Sequence, residues 1–141
     1  MPGCELCQND GGTVLWKSTA CRVVDVADPD YPGFCRVIWN DHVKEMTDLS
    51  APQRRYLMDV VFGVEGAVRE VCNPHKVNVA SLGNVTPHLH WHVIPRRCDD
   101  RNFPEPIWGA VRRPEARAKP VDNDQLIAAL ETFLAGVEEA S

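Results

Sequence analysis

Residues 88 to 94 read His88-Leu89-His90-Trp91-His92-Val93-Ile94, so three of the five histidines in 141 residues alternate strictly with large apolar side chains. In an extended strand successive side chains point to opposite faces, which places the three imidazoles on one face at a spacing of about 6.6 Å and Leu89, Trp91 and Val93 on the other. Like ionisable groups aligned on one face repel, so a purely structural strand gains nothing from them. An imidazole near neutrality serves as nucleophile, general acid or base, or metal ligand. A second group with chemical reach is Cys4-Glu5-Leu6-Cys7, a Cys-x-x-Cys that supplies two of the four ligands a structural zinc requires.

The elements that must carry these residues follow from periodicity and breakers. Val14 to Trp16 and Arg22 to Val26 read as short strands around the turn Lys17-Ser18-Thr19, and Phe34 to Trp39 reads as a third after Asp30-Tyr31-Pro32-Gly33. Ser50-Ala51-Pro52-Gln53 has a capping-box pattern with proline in the first turn. Leu57, Val60, Val61, Val64, Ala67, Val68 and Val71 continue at helical spacing, giving a helix from about Ser50 to Cys72 that Asn73-Pro74 stops. Lys76 to Leu82, a turn over Gly83 to Pro87, and His88 to Ile94 form an expected antiparallel hairpin. Residues 95–120 hold five of the eleven prolines and no clean period, so an irregular segment is expected there. A last helix over 122–138 starts at Asp122-Asn123-Asp124-Gln125 and buries Leu126, Leu130, Phe133, Leu134 and Val137. Strands, a helix, a hairpin and a terminal helix make an α+β domain with an antiparallel sheet and two main helices, and the length suits a single domain over 1–141.

Composition narrows the function. The net charge of −5 argues against a nonspecific binder of nucleic-acid polymers. Between Arg96 and Lys119, however, seven cations face four acids, a basic stretch suited to a phosphate-bearing substrate. No run approaches the roughly 18 apolar residues of a membrane span, and the start lacks a charged region followed by an apolar one, so a cytoplasmic protein with no membrane partner is expected. In that setting six cysteines read as thiols or metal ligands rather than as a disulfide framework. Cys21, Cys35, Cys72 and Cys98 lack ligand spacing and read as isolated thiols.

His-apolar-His-apolar-His-apolar-apolar, flanked by Leu82-Gly83-Asn84-Val85-Thr86-Pro87 and Ile94-Pro95-Arg96, resembles the signature of the histidine triad (HIT) family of nucleotide hydrolases and transferases, in a bacterial branch. Pro32-Gly33-Phe34-Cys35-Arg36-Val37-Ile38, leading to His42, is similar to that family's glycine turn and following strand. The resemblance implies a sheet of about five strands, often in a homodimer. It implies attack by His90 on the α-phosphorus of a nucleoside phosphoramidate or dinucleoside polyphosphate, through a nucleotidyl-histidine, with release of a nucleoside monophosphate. His92 would contact phosphate oxygens or protonate the leaving group, and His88 would hold the working tautomer. Asn84 would contact the phosphate or the leaving group, and Asp25, with Asp28 as competitor, the ribose of a purine nucleotide; Arg96, directly after the strand, reads from its charge either as a phosphate contact or as a surface cation. Some relatives complete a structural zinc site with histidines at the positions of His42 and His88, so Cys4, Cys7, His42 and His88 are the expected ligands, with no metal required for the chemistry. Two other readings stay open from the residues alone: a zinc-dependent metallohydrolase, since histidines two apart on a strand can grip zinc, and a nucleotide-binding module without catalysis.

Overall fold

Short runs rich in valine and isoleucine pair into the sheet, and the one long stretch of helical period covers it. The computed structural model describes residues 1–139, with strands β1 (Thr13–Lys17), β2 (Cys21–Asp25), β3 (Cys35–Trp39), β4 (Lys76–Ala80) and β5 (His90–Arg96), and helices α1 (Glu5–Gln8), α2 (Ala51–Cys72) and α3 (Asn123–Leu134). The strands form a five-stranded sheet in the order β1-β2-β3-β5-β4, antiparallel at every pairing. The expected hairpin is present as β4 and β5, and the cysteine turn at the amino terminus adds the short α1, which no periodicity announces.

One face of the sheet is packed by α2 and α3. From α2, Tyr56, Leu57, Val60, Val61, Val64, Ala67 and Val68 are buried against Val23, Cys35, Val37, Leu89 and Val93 of the sheet layer, each large apolar side chain contributing about 1.5–3 kcal/mol. The helix starts as its sequence predicts: Ser50 Oγ accepts from the Gln53 N–H, and Gln53 Oε1 accepts from the Ser50 N–H at 2.8 Å. It stops at Asn73, which takes a left-handed φ of 44° before Pro74. A Cβ at Gly63 would collide with Leu134 and one at Gly66 with Phe133, so these glycines let α3 lie close against α2. The terminal helix is shorter than predicted, ending at Leu134 rather than near Glu138, because the chain turns at Ala135-Gly136, where glycine disfavours helix.

The opposite face carries the histidines. Register decides which residues join them: Arg36 lies opposite His92, and Ile38 opposite His90. In the next strands Val24 pairs with Arg36 and Ala80 with His92. Strand β5 begins at His90, two residues later than expected, because the backbone of Leu89 bonds to Val43 O and to the Trp39 N–H. His88 therefore stands just before the strand, at the mouth of the amino-terminal turn.

Candidate active site

The three imidazoles are all buried but play into two different surroundings. His88 turns its side chain toward α1, where its Nδ1 lies 3.4 Å from Cys4 Sγ and 3.5 Å from Cys7 Sγ, while Cys7 Sγ lies 3.3 Å from His42 Nδ1. One ligand atom from each of Cys4, Cys7, His42 and His88 falls within 4.8 Å of all the others. A tetrahedral ion with ordinary Zn–S and Zn–N lengths separates sulfur from nitrogen by ~3.6 Å, so two thiolates and two imidazoles in this arrangement fit it. The remaining nitrogen of His88, Nε2, is 2.6 Å from the carbonyl of Trp39. A carbonyl only accepts, so Nε2 carries the proton and Nδ1 presents its lone pair to the cysteines, the usual outer support of a metal-binding histidine. Burial opposes ionisation of the Cys4 thiol, yet the Cys7 side chain and the backbone N–H groups of Cys7 and Leu6 outweigh it and lower its pKa, favouring the thiolate a metal needs.

His88 acts on its neighbour through the backbone. Its carbonyl is 2.6 Å from Nδ1 of His90 and must accept from it, which fixes the proton of His90 on Nδ1 and leaves the Nε2 lone pair free. The rings of His90 and His92 meet edge to face with centroids 4.9 Å apart. His92 is enclosed further by Phe34 at 5.7 Å and Trp108 at 5.1 Å. Burial, then the Arg36 charge, lowers the pKa of His90 against the opposing bond to the His88 carbonyl; burial, His90 and Arg36 together lower that of His92 to about 4. Both rings are thus neutral at pH 7, the form in which an imidazole attacks phosphorus or donates a neutral N–H. A cleft of about 300 Å3 reaches His88 and His90 between Lys44–Thr47 and Ser81–Gly83.

At the other end of β5 the irregular segment is folded back by a closed polar network. Arg96 Nε and Nη2 grip Asp100 at 2.8 and 3.0 Å, Nη1 donates to Asn78 Oδ1 at 2.7 Å, and Nη2 donates to the Glu105 carbonyl at 2.7 Å. Asn102 ties in Tyr31 and the carbonyls of Gly109 and Ala110, and Arg113 donates to the carbonyls of Asp100 and Phe103. This network brings Ile107 against the buried group of Tyr31, Phe34 and Ile94, and holds Trp108 over His92.

The family comparison decides what this assembly is. A HIT domain matches residues 8–99. The chain belongs to the HIT family. Its curated relatives include a protein of Mycobacterium tuberculosis named AP-4-A phosphorylase, 31% identical over 113 residues, covering 76% of this chain; the chain spans only 58% of that relative's length. Among solved structures it is similar to a histidine triad protein of Bradyrhizobium japonicum, with 30% identity, a TM-score of 0.70, and 88% of this chain and 91% of that one covered. A histidine triad protein of Marinobacter aquaeolei is comparable, with 26% identity, a TM-score of 0.70, and coverage of 92% and 93%.

Within this HIT fold the sequence-predicted residues meet different fates. Cys4, Cys7, His42 and His88 come together, and His90 and His92 share a face. Arg96 does not join them: it is 2% exposed and its guanidinium is used up on Asp100, Asn78 and Glu105, so its place is in the scaffold rather than at a phosphate. Asp25 ends β2 opposite Cys35, on the helix side of the sheet, and its Oδ1 accepts from the Ala27 N–H, shaping the turn instead of facing the imidazoles. Asp28 likewise accepts from the Asp30 N–H. Asn84 sits exposed in the turn before the triad, its side chain without a hydrogen bond among the described residues. Sequence reasoning overlooked Arg36, which faces His92; the signal was there in the period of β3, since a cation alternating with Cys35 and Val37 must share a face with Ile38.

Proposed function

We propose that this HIT protein is a nucleotidyl hydrolase or transferase in which His90 Nε2 attacks the α-phosphorus of a dinucleoside polyphosphate or nucleoside phosphoramidate. The observation that carries this reading is the single proton placement available to His90: Nδ1–H bound to the His88 carbonyl, Nε2 free, the ring neutral and buried. The P–O or P–N bond to the leaving group breaks as the N–P bond forms, giving a nucleotidyl-histidine and a leaving group that takes its proton from solvent, the neutral His92 donating a hydrogen bond to it rather than a proton. Water then attacks phosphorus, His90 leaves as the free imidazole, and a nucleoside monophosphate is released. Orthophosphate in place of water would give a nucleoside diphosphate instead, as the phosphorylase name of the mycobacterial relative suggests for that protein. Developing charge on the leaving group meets the N–H of neutral His92, whose ring Phe34 and Trp108 flank. Asn84, exposed at the entrance, is free to contact the incoming phosphate.

Cys4, Cys7, His42 and His88 would hold a zinc ion whose contribution is structural: it pins α1 to the sheet and fixes His88, and through the His88 carbonyl the tautomer of His90. All four positions of a tetrahedron are filled by protein, and neither His90 nor His92 is among the ligands, so the metal-activated water of a metallohydrolase has little support here. We also propose a homodimer in the cytoplasm. Trp108 leaves half its surface exposed, and β4 is an open edge of the sheet. A monomer mass by light scattering across micromolar concentrations would remove the dimer from the proposal.

Acid quench of the enzyme during turnover, followed by peptide mass spectrometry, tests the mechanism. A nucleotide adduct on the His90 peptide is the expected result. Turnover with no adduct, or an adduct elsewhere, overturns it, and nucleotide binding without turnover on either substrate class makes the protein a binding module.

A further inference from the structure

Three arginines stand on or beside the imidazole face, and two of them are saturated. Arg22 donates to the carbonyls of Asp10, Leu6 and Asn9 and to Asn40 Oδ1. Arg96 is held by Asp100, Asn78 and Glu105. Arg36, half-buried at the centre of the sheet, makes no hydrogen bond and no ion pair among the described residues, and its Nε is sealed from water. Across the described residues the only deeply buried side-chain nitrogens or oxygens without a partner are Arg36 Nε and His92 Nδ1. These two orphans belong to residues directly opposite each other on β3 and β5, a register that brings Cβ atoms within about 5.5 Å. The Phe34 ring, 5.9 Å from the guanidinium carbon, backs the cation, and burial lowers its pKa against the opposing charge of Glu5. Native proteins satisfy buried polar groups, so a neighbouring pair left open on the reactive face points to a ligand that completes it.

That ligand must be an anion. A guanidinium offers a planar fork matched to phosphate oxygens, and His92 can present Nδ1–H beside it. The pair lies one alternation along β5 from His90, the nucleophile of the reading above on which this inference rests, so a group held there neighbours the phosphorus under attack without being it. We propose that Arg36, with His92, forms a subsite for the phosphate adjacent to the attacked one, so that the site selects nucleotides with a phosphate chain over those with a single phosphate. Dinucleoside polyphosphates then rank above phosphoramidates, whose amine leaving group brings no charge to Arg36.

Calorimetric binding of ADP and AMP, and of GDP and GMP, to the zinc-loaded protein and to Arg36→Met tests the subsite without any demand for turnover. Wild type is expected to hold each diphosphate at least tenfold more tightly than the monophosphate, and R36M to reduce that ratio below about threefold. Because Arg36 has no internal partner, R36M should melt within about two degrees of wild type. Should it instead lose cooperative melting, Arg36→Gln gives the same reading with a polar end. Equal affinity of wild type for the two nucleotides, or wild-type discrimination in a folded Arg36 variant, overturns the subsite. An absent His90 adduct would remove the catalytic mechanism and leave this binding result standing on its own.

Discussion

Arg96 and Arg36 share one face of the same sheet, both largely withdrawn from water, and they are used in opposite ways. Around Arg96 each polar group has found a protein partner: the guanidinium fork on Asp100, the amide of Asn102 on two carbonyls, the Tyr31 hydroxyl on Asn102. Around Arg36 and His92 the partners are missing among the described residues, and beside them His90 keeps a lone pair that its own hydrogen bond has freed. A closed network stabilises the fold because every desolvated group is compensated; an open one costs stability unless something outside the chain completes it. The contrast separates scaffold from site more sharply than residue type does, since an arginine near a histidine strand suggests phosphate in either position.

The largest effect should come from breaking the open region at its reacting atom. His90→Ala is expected to lower turnover by about a thousandfold or more while nucleotide affinity changes by less than about fivefold, because the substrate is held chiefly by other groups. Steady-state rates with equilibrium binding on the same preparations check it, and activity within tenfold of wild type would exclude His90 as nucleophile. Breaking the closed region should act on stability instead. Arg96→Met leaves the Asp100 carboxylate buried without its counter-charge, a loss of about 3–5 kcal/mol, which lowers the melting temperature by about 10 °C in a protein of this size. Urea denaturation of R96M beside R36M gives the comparison directly; equal stabilities would mean that the two arginines do not differ as described.

Cys4→Ser probes the third polar region, which is open in the way of a metal site. One equivalent of zinc should copurify with the wild type and be lost from C4S, with a fall in melting temperature. Turnover should slow by about tenfold rather than stop, since a loosened His88 carbonyl misplaces the tautomer of His90 without removing it. Wild-type protein prepared without chelator, metal-free yet fully active and equally stable, would contradict the site.

How much of this could be read beforehand depended on the range of the forces involved. The α2 boundaries were legible because the capping box at Ser50 and the stop at Asn73-Pro74 are local. The β4–β5 pairing followed from two alternating runs around a glycine turn. The Cys4, Cys7, His42 and His88 grouping came from the family resemblance, and only the fold back of α1 brings the four together. What stayed hidden needed partners distant in sequence. Arg96 looked like a phosphate ligand because nothing local announces that Asn78 and Glu105 will converge on it. Residues 95–120 read only as an irregular segment because they have no period, yet Arg96, Asn102 and Arg113 hold that segment in place with side-chain bonds to backbone carbonyls and bring Ile107 against the sheet. Asp25 lay on the expected strand but on the other face, a one-residue difference that alternation turns into a change of side.

The smallest effect reads the closed network by pH. Burial alone would raise the Asp100 carboxyl, but the Arg96 fork and the backbone N–H groups of Arg97 and Phe103 outweigh it and hold the pKa at about 2, against an ordinary 3.8. A carboxylate depressed by folding contributes its full stabilisation above the unfolded value and loses it as pH falls toward the folded one, because the unfolded chain takes up the proton first. The window is therefore pH 4 to 2, and the amount about 2 kcal/mol. Other carboxylates and the buried histidines titrate over overlapping ranges, so the quantity to follow is the stability difference between wild type and Asp100→Asn by urea denaturation from pH 5 downward. That difference should shrink by about 2 kcal/mol across the window, while the difference between wild type and R36M, where no carboxylate closes on the cation, should stay flat. A wild-type–D100N difference independent of pH would mean that the Arg96–Asp100 pair does not hold the carboxylate charged, and the network at this end of β5 would lose the feature that sets it apart from the open face.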